Sequence, residues 1–258
     1  MEHKLSASYE TAPLITAVSA SGGVGKSTIA LIMGHLTARA GLRTALIEGD
    51  LQFGDMGFWL GISTDASSLS LMQGCEPIPI FKCLDLYKAP ALPEIAEDIA
   101  DGVAALVESI RSSYDLVIAD TGQFWSGLTG SLLCSSSLVL LVMDQREASV
   151  YGAIKAYELC GRLGIPGARI ACVANRRSGK SRNEVMRIQE ALGTESVFCL
   201  QDGKANVESL IGMGRVDEFV EASMLPTDDV EQLLCSTLPK IGLRFEKQQR
   251  KRARRIFS

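Results

Sequence analysis

A glycine-rich loop between two apolar segments constrains the fold of this chain more than any other feature. The chain is largely apolar at 14–18 and again at 29–33, and between these segments it reads Gly22-Gly23-Val24-Gly25-Lys26-Ser27-Thr28. This order predicts a strand, a turn and a helix. Closely spaced glycines let main-chain N–H groups turn inward around phosphate oxygens, and the helix N-terminus adds the positive end of its dipole. The sequence therefore predicts a phosphate-binding loop.

The loop follows the nucleotide-binding pattern G-x-x-x-x-G-K-[ST] except at its first position, where the chain has Ala20. The pattern assigns the Lys26 ammonium to the β- and γ-phosphates and the Ser27 hydroxyl to a magnesium ion. An ordinary glycine turn is the alternative interpretation. The Gly-Lys-Ser-Thr string, placed between a strand and a helix, favours nucleotide binding with Mg²⁺.

Composition restricts the class of protein. The 258 residues are 47% hydrophobic and 22% charged, which suits a single α/β domain with a substantial core. The chain has no apolar run long enough to span a bilayer and no apolar signal core near its N-terminus, so we expect a cytosolic protein. The seven scattered cysteines are expected to be reduced core thiols. With two histidines, a His-ligated zinc site or a Ser-His triad has too little material.

Charge is distributed unevenly along the chain. Residues 244–258 contain seven Arg or Lys against one glutamate, a net charge of +6, which leaves −10 for the remainder of a chain whose total is −4. We therefore divide the chain into a flexible lead-in (1–12), a nucleotide-binding domain (13–240) and a basic tail (241–258). The tail has no apolar stripe of helical period, so we expect a solvated extension that contacts an anionic partner or a membrane surface. The acidic body makes specific DNA binding an unfavoured interpretation.

Alternating strands and helices predict an α/β fold: a doubly wound, mostly parallel twisted sheet with helices on both faces. Residues 56–83 are predicted to be irregular, apart from a short helix over 67–73. Besides the strand before the loop, the predicted strands are 43–48, 84–88, 114–121, 138–144, 169–175 and 196–200. The predicted helices are 26–40, 93–110, 147–163, 204–213 and 228–238.

Two aspartates follow predicted strands at the edge of the sheet that carries the loop. Asp120 ends a strongly apolar strand, as in a Walker B motif, and would reach the magnesium shell beside Ser27. Asp50 follows another strand, where it could orient a water against the γ-phosphate or hold the magnesium ion through water. Helix capping is the alternative for both, and for Asp50 the pattern alone does not decide.

The string Val-Ser-Ala-Ser-Gly-Gly-Val-Gly-Lys-Ser-Thr at 18–28, followed by Glu-Gly-Asp-Leu-Gln-Phe-Gly-Asp at 48–55, resembles the MinD/ParA superfamily of deviant Walker ATPases. The second string resembles its CpaE/TadZ branch, which helps to position pilus-assembly machinery. The resemblance covers about residues 13–225. It implies a nucleotide-dependent homodimer, recruited to the cell pole or the inner face of the membrane, that binds pilus or secretion assembly proteins.

The resemblance also assigns roles to residues. It implies catalytic roles for Asp50 and Lys26 and metal contacts from Ser27, Asp50 and Asp120. It places Asn175 against adenine, Arg176 nearby and Asp202 in a loop that closes over the base. Because the stretch after Asn175 lacks the aspartate of the guanine-reading N-K-x-D signature, ATP is favoured over GTP. The residues expected to hold the nucleotide are Gly22, Gly23, Val24, Gly25, Lys26, Ser27, Thr28, Asn175, Arg176 and Asp202.

One position departs from the superfamily in a way that bears on catalysis. Deviant Walker proteins have an additional lysine immediately before the paired glycines, which reaches the phosphates of a partner subunit, and here that residue is Ser21. Serine brings no charge, so nucleotide binding is expected to survive while hydrolysis is expected to be weak or absent. Glu48, where the superfamily usually has aspartate, is expected to alter the metal geometry to a smaller degree.

Several functions stay open at this stage. An ATP-dependent localisation switch is the first interpretation, and an active ParA/MinD-type ATPase in partitioning or division-site placement is the second. A partitioning protein that uses its basic tail on DNA is the third, and salt would weaken such binding. An iron–sulfur reductase is disfavoured because Cys134, in a predicted helix, is the one cysteine near Asp120. A tyrosine kinase is disfavoured because the tail has no tyrosine.

Overall fold

Seven strands run parallel to one another and one edge strand runs antiparallel in the single sheet that the structure describes. The structure is a computed structural model that describes residues 11–62, 76–177 and 182–248, and only the backbone of 182–184. The strands are β1 (Leu14–Val18), β2 (Thr44–Gly49), β3 (Ile78–Phe81), β4 (Leu84–Tyr87), β5 (Leu116–Thr121), β6 (Leu138–Asp144), β7 (Ile170–Arg177) and β8 (Val197–Gln201). Their order across the sheet is β3-β4-β2-β5-β1-β6-β7-β8, with β3 antiparallel to β4.

Helices cover both faces of this sheet. The described helices are α1 (Lys26–Arg39), α2 (Met56–Trp59), α3 (Ala96–Ile110), α4 (Gly127–Ser135), α5 (Glu147–Arg162), α6 (Arg182–Leu192), α7 (Ala205–Leu210), α8 (Val216–Glu221) and α9 (Thr227–Thr237). Short 3₁₀ segments occur at Pro93–Ile95, Gly167–Arg169, Ile211–Met213 and Leu238–Ile241. Helices α1, α8 and α9 share one core cluster, and α3 to α6 contribute to the two clusters on the opposite face. The predicted doubly wound α/β fold is confirmed.

The central strand β1 shows why both faces need helices. Its residues are fully buried, and alternate side chains enter different cores: Ile15 and Ala17 pack towards α1, whereas Leu14 and Val18 pack towards the opposite face. Strands buried on both faces are typical of parallel sheets, in which successive strands are joined by crossover helices. This arrangement leaves the loops at the strand ends as the accessible part of the sheet.

Strand register brings the predicted site residues to one edge. Ala17 of β1 pairs with Asp120 of β5, and Glu48 of β2 pairs with the same aspartate from the other side. The glycine-rich loop after β1, the Asp50 loop after β2 and the loop after β5 therefore leave the sheet at the same level. This is the carboxyl edge at which open α/β sheets bind their ligands.

The region predicted to be irregular contains two elements. Residues 56–59 form α2, and Ile78–Phe81 form the antiparallel edge strand β3, which joins β4 through a turn with Cys83 at φ 65°. Exposed Pro79 is tolerated in β3 because an edge strand has one side without ladder hydrogen bonds. The helix predicted over 67–73 lies outside the described residues. Helix α8, between two predicted helices, was not predicted.

The prediction that the tail starts at residue 241 is wrong, because the residues just after it pack into the domain. Leu243 and Phe245 are buried in the core cluster formed with α1 and α9. The main-chain N–H of Gln248 donates to Glu231 Oε1 over 2.9 Å. The packed domain therefore extends beyond residue 240, because these two apolar side chains complete its core.

In the described part of the chain, no helix is long and apolar enough to cross a membrane.

Candidate nucleotide site

The glycine-rich loop joins β1 to α1 in a conformation that depends on glycine. Gly23 and Gly25 have φ of 68° and 93°, in the left-handed region that favours glycine. A Cβ on Gly25 would also overlap the side-chain nitrogen of Asn175. Among the described residues, no side chain caps α1, so the N–H groups of its first turn stay available to an anion. The predicted phosphate loop has the geometry that phosphate binding requires.

Asp120 has the most informative environment in the site. The residue is 4% exposed, and its Oδ1 has no hydrogen-bond partner within the part of the chain that the structure describes. Burial raises the pKa of Asp120 to about 7, although the nearby Lys26 ammonium and a hydrogen bond with Ser27 both act to lower it. A buried carboxylate oxygen without a partner is costly unless a cation or a donor satisfies it. Asp120 and Ser27 therefore fit a bound Mg²⁺.

The remaining ligands of such an ion would not be protein carboxylates alone. No group of three or more His, Cys, Asp or Glu side chains in the described ranges could hold a metal. Magnesium ordinarily keeps several waters and binds one or two carboxylates together with substrate phosphates. The donor set of Ser27, Asp120 and nearby Asp50 matches that behaviour.

Asp50 lies at the mouth of the same cleft. Its Oδ1 accepts a hydrogen bond from the main-chain N–H of Phe53 over 3.0 Å, and a Cβ on Gly122 would lie 3.0 Å from its Oδ2. The cleft, of about 570 Å³, is lined by the phosphate loop, Asp50 and Asp120, which places the predicted catalytic and metal residues together. The loops after β2 and β5 thus face each other across this cleft.

Glu48 has a role that sequence reasoning missed. The side chain is buried, and its two oxygens accept hydrogen bonds from the N–H groups of Met56 (2.6 Å) and Ala89 (2.8 Å). Burial raises its pKa, while these hydrogen bonds act in the opposite direction. Glu48 therefore ties the end of the Asp50 loop to the end of β4, instead of only adjusting a metal site. The sequence offered one signal for this structural role, namely an acidic residue at the end of a buried strand.

The three residues predicted at the base end also come together. Asn175, Arg176 and Asp202 line a cavity of about 230 Å³ with Gly25 and Thr28, which also line the larger cleft. Asn175 Nδ2 donates to the Val24 carbonyl over 2.8 Å. Arg176 is exposed and has φ 56°, and its carbonyl accepts a hydrogen bond from Gln145 Nε2 over 3.1 Å. The cavity therefore continues the phosphate cleft on the side expected to hold a base.

The phosphate loop of this parallel α/β sheet defines a protein of the nucleotide-binding P-loop class. The chain belongs to the CobQ/CobB/MinD/ParA nucleotide binding domain family, which it matches over residues 15–236. The predicted MinD/ParA superfamily is thereby confirmed, whereas the CpaE/TadZ branch stays a prediction.

Proteins similar to this chain include a chromosome-partitioning ATPase, a ParA family ATPase and a septum site-determining protein. The chromosome-partitioning ATPase Soj of Thermus thermophilus is 31% identical over 144 residues, covering 54% of this chain and 57% of that protein. The ParA family ATPase from Chlorobium tepidum superimposes with a TM-score of 0.73 at 25% identity, covering 86% of this chain and 98% of that one. The septum site-determining protein MinD of Pyrococcus horikoshii, solved with Mg-ADP, gives 0.66 at 15% identity over 90% of this chain and all of that one, which shows the fold alone.

Proposed function

We propose that this protein is an ATP- and Mg²⁺-dependent switch of the MinD/ParA type that forms a homodimer and positions pilus-assembly or secretion machinery, as CpaE/TadZ proteins do. The observation that carries the nucleotide part is the buried Oδ1 of Asp120, which lies beside Ser27 and Lys26 and has no hydrogen-bond partner among the described residues. These groups lie at the N-terminus of α1, which no side chain of the described residues caps. The pilus-assembly part rests on the resemblance of residues 48–55.

In this proposal the main-chain N–H groups of the phosphate loop and the Lys26 ammonium bind the phosphates. Ser27 and Asp120 would hold the magnesium ion, with Asp50 nearby. The bound Mg²⁺ would neutralise charge on the phosphate oxygens. Asp50, half-buried at the cleft mouth, would orient the attacking water.

The base is proposed to be adenine, because the stretch after Asn175 lacks the aspartate of the guanine-reading N-K-x-D signature. Asn175 uses one N–H of its Nδ2 to donate to Val24, which leaves its carbonyl oxygen and its second N–H for a ligand. The carbonyl oxygen can accept from the exocyclic amine of adenine. Asp202 and Arg176, which line the same cavity, would enclose the base.

The switch would act through the Asp50 loop. Because Asp50 Oδ1 accepts from the Phe53 N–H, rearrangement of Asp50 around a γ-phosphate would also move the Phe53 turn. Phe53, Phe124 and Phe58 are 77%, 80% and 71% exposed, and the first two line the cleft. Exposed aromatic rings beside a nucleotide site suit a surface that a second copy or an assembly protein binds in one nucleotide state.

Hydrolysis is proposed to be slow because Ser21 brings no charge to the phosphate loop. The alternative is an active partitioning or division-site ATPase, and the similarity to the chromosome-partitioning ATPase Soj favours it. Steady-state phosphate release by purified protein separates the two: slow turnover with tight ATP binding supports the switch, and rapid turnover supports the ATPase.

Calorimetry tests the nucleotide proposal. Lys26→Ala should weaken Mg-ATP binding at least about 100-fold, because it removes a charge-assisted contact to the phosphates. Lys240→Ala, which removes an exposed lysine from the 3₁₀ segment at Leu238–Ile241, is the matched control and should bind normally. Unchanged affinity in Lys26→Ala would contradict the nucleotide proposal.

The basic tail is proposed to contact an anionic partner or a membrane surface. Its charge lies largely at 249–258, outside the described residues. Replacing its five arginines at 244, 250, 252, 254 and 255 with glutamine should reduce binding to vesicles containing phosphatidylserine, and raising the salt concentration should do the same to the wild type. Vesicle binding that survives both changes would contradict this assignment.

A further inference from the structure

Arg146 lies against the outside of the phosphate loop and has no role in the site described above. It is the N-cap residue of α5, and its guanidinium Nη2 donates to the Gly22 carbonyl over 3.2 Å. Its Nε donates to Asp144 Oδ2 over 2.7 Å, and its main-chain N–H donates to Asp144 Oδ1 over 3.1 Å. Because Asp144 is buried, its hydrogen bonds hold the Arg146 side chain in one orientation.

The fixed guanidinium is nonetheless available to a ligand. The side chain of Arg146 is 61% exposed. No acceptor in the described part of the chain occupies its Nη1. Arginine with one edge held by a carboxylate keeps its outer donors in a planar fork that matches phosphate oxygens. Because the side chain is already oriented, little conformational entropy would be lost on binding.

The position of Arg146 decides which nucleotide it can reach. Gly22 to Thr28 line the cleft of their own chain, and Arg146 does not. Helix α5 packs on the loop from outside: a Cβ on Gly152 would lie 3.0 Å from Ala20 Cβ and 3.8 Å from Ser21 Oγ. The loop backbone therefore stands between Arg146 and phosphates bound in the same chain. No such barrier would separate Arg146 from the nucleotide of a second copy whose cleft faces this one.

We infer that Arg146 is a catalytic arginine supplied in trans, inserted into the nucleotide site of a second copy of this chain. The inference rests on the proposed ATP binding and dimer. In hydrolysis, the oxygen of water bonds to the γ-phosphorus and the bond from that phosphorus to the β,γ-bridging oxygen breaks. ADP and inorganic phosphate form, and one proton of the water is released. Arg146 stabilises the negative charge on the phosphate oxygens during this step.

The inference predicts which properties Arg146→Ala changes. ATP affinity of the single chain should stay within about twofold of wild type, since Lys26 and the loop are intact. ATP-dependent dimerisation and turnover should each fall at least about tenfold. Arg162→Ala, an exposed arginine at the other end of α5, is the control and should change neither.

A mixing experiment tests whether the arginine acts in trans. Arg146→Ala and Asp50→Ala each retain the phosphate loop, and each should be nearly inactive alone. In a mixed dimer, the Arg146→Ala chain keeps its own Asp50 and receives Arg146 from the other chain. Single-turnover hydrolysis of labelled ATP by the mixture should therefore exceed the sum of the two separate samples.

Two results would overturn the inference. One is a mixture no faster than its components although both variants bind ATP. The other, which applies even if wild-type turnover is undetectable, is ATP-dependent dimerisation of Arg146→Ala equal to that of wild type in analytical ultracentrifugation. Failure of the wild type to bind ATP would instead contradict the proposed function, so the two failures are distinguishable.

Discussion

Asn175 Nδ2 donates a hydrogen bond to the main-chain carbonyl of Val24 over 2.8 Å, which fastens the end of β7 to the phosphate loop. The loop passes so close to this amide that a side chain at Gly25 would overlap it. The base end and the phosphate end of the cleft are therefore one structural unit. A change at one end is expected to alter binding at the other.

Gly25→Ala tests this unit against a matched glycine. Gly41 has nearly the same φ, 90° against 93°, but nothing lies within 4 Å of the Cβ that alanine would add there. Gly41→Ala should cost only the left-handed strain, about 1–2 kcal/mol of unfolding free energy, and leave ATP affinity unchanged. Gly25→Ala should cost more and abolish binding, because it also displaces Asn175. Thermal unfolding and calorimetry measure both, and equal effects of the two variants would contradict the coupling.

Asp120→Asn should have opposite effects without and with ligand. Burial raises the pKa of Asp120 above its unfolded value, so its contribution favours folding at low pH and is lost as pH rises through about 7. At pH 8 the neutral amide should therefore stabilise the ligand-free protein by about 1–3 kcal/mol. The same change should remove the extra stabilisation that Mg²⁺ adds in the presence of ATP.

Unfolding curves at pH 6 and pH 8, with and without Mg-ATP, check this prediction. Because burial raises the pKa of Asp120 to about 7, the wild type should lose stability between pH 6 and pH 8, and Asp120→Asn should lose less. A variant less stable than wild type in the ligand-free state at pH 8 would show that the Asp120 carboxylate stabilises the domain without a cation.

Phe245→Ala tests the corrected boundary of the domain. Phe245 is 7% exposed within the core that α1 and α9 share, whereas Phe124 at the cleft mouth is 80% exposed. Phe245→Ala should lower the unfolding free energy by about 3 kcal/mol, and Phe124→Ala should change it by less than about 0.5 kcal/mol. Chemical denaturation measures both, and a near-neutral Phe245→Ala would return the boundary to residue 240.

The sequence was sufficient for the parts of the site that depend on strand ends. Parallel strands finish at one edge, so Lys26, Asp50 and Asp120 could be placed together from apolar runs followed by loops. Asn175 and Asp202 could be placed at the base end only through the family resemblance, because no local pattern distinguishes them from other polar residues in loops.

Contacts set by tertiary packing could not be predicted. The Glu48 carboxylate, in β2, accepts from the N–H of Ala89, which follows the neighbouring strand β4. Arg146 donates to the carbonyl of Gly22, although the two residues are more than a hundred positions apart in the sequence. Strand β3 has only four residues, with Pro79 among them, and its antiparallel pairing with β4 follows from the turn at Cys83. Neither composition nor periodicity encodes such contacts.

Ser21→Lys decides how far hydrolysis is limited by missing charge. If turnover is slow because the loop lacks a cation at this position, lysine should raise the rate of phosphate release at least about tenfold, and Ser21→Ala should leave it unchanged. ATP affinity should barely change, because Lys26 and the N–H groups of the loop are retained. The half-buried Ser21 faces Gly152 of α5, whose missing side chain leaves space for a longer residue.

The same substitution relates Ser21 to Arg146. If both positions present a cation to the nucleotide of a second copy, then Ser21→Lys should restore turnover in the Arg146→Ala background, since one cation can replace the other from the same side of the loop. Asp50→Ala should abolish turnover in every background, because it removes the group that orients water. Phosphate release across these variants distinguishes the cases. If wild-type turnover is fast and Ser21→Lys does not increase it, Arg146 already supplies the full charge. If Ser21→Lys dimerises but increases turnover neither in the wild type nor in Arg146→Ala, positive charge at this side of the loop does not limit the reaction.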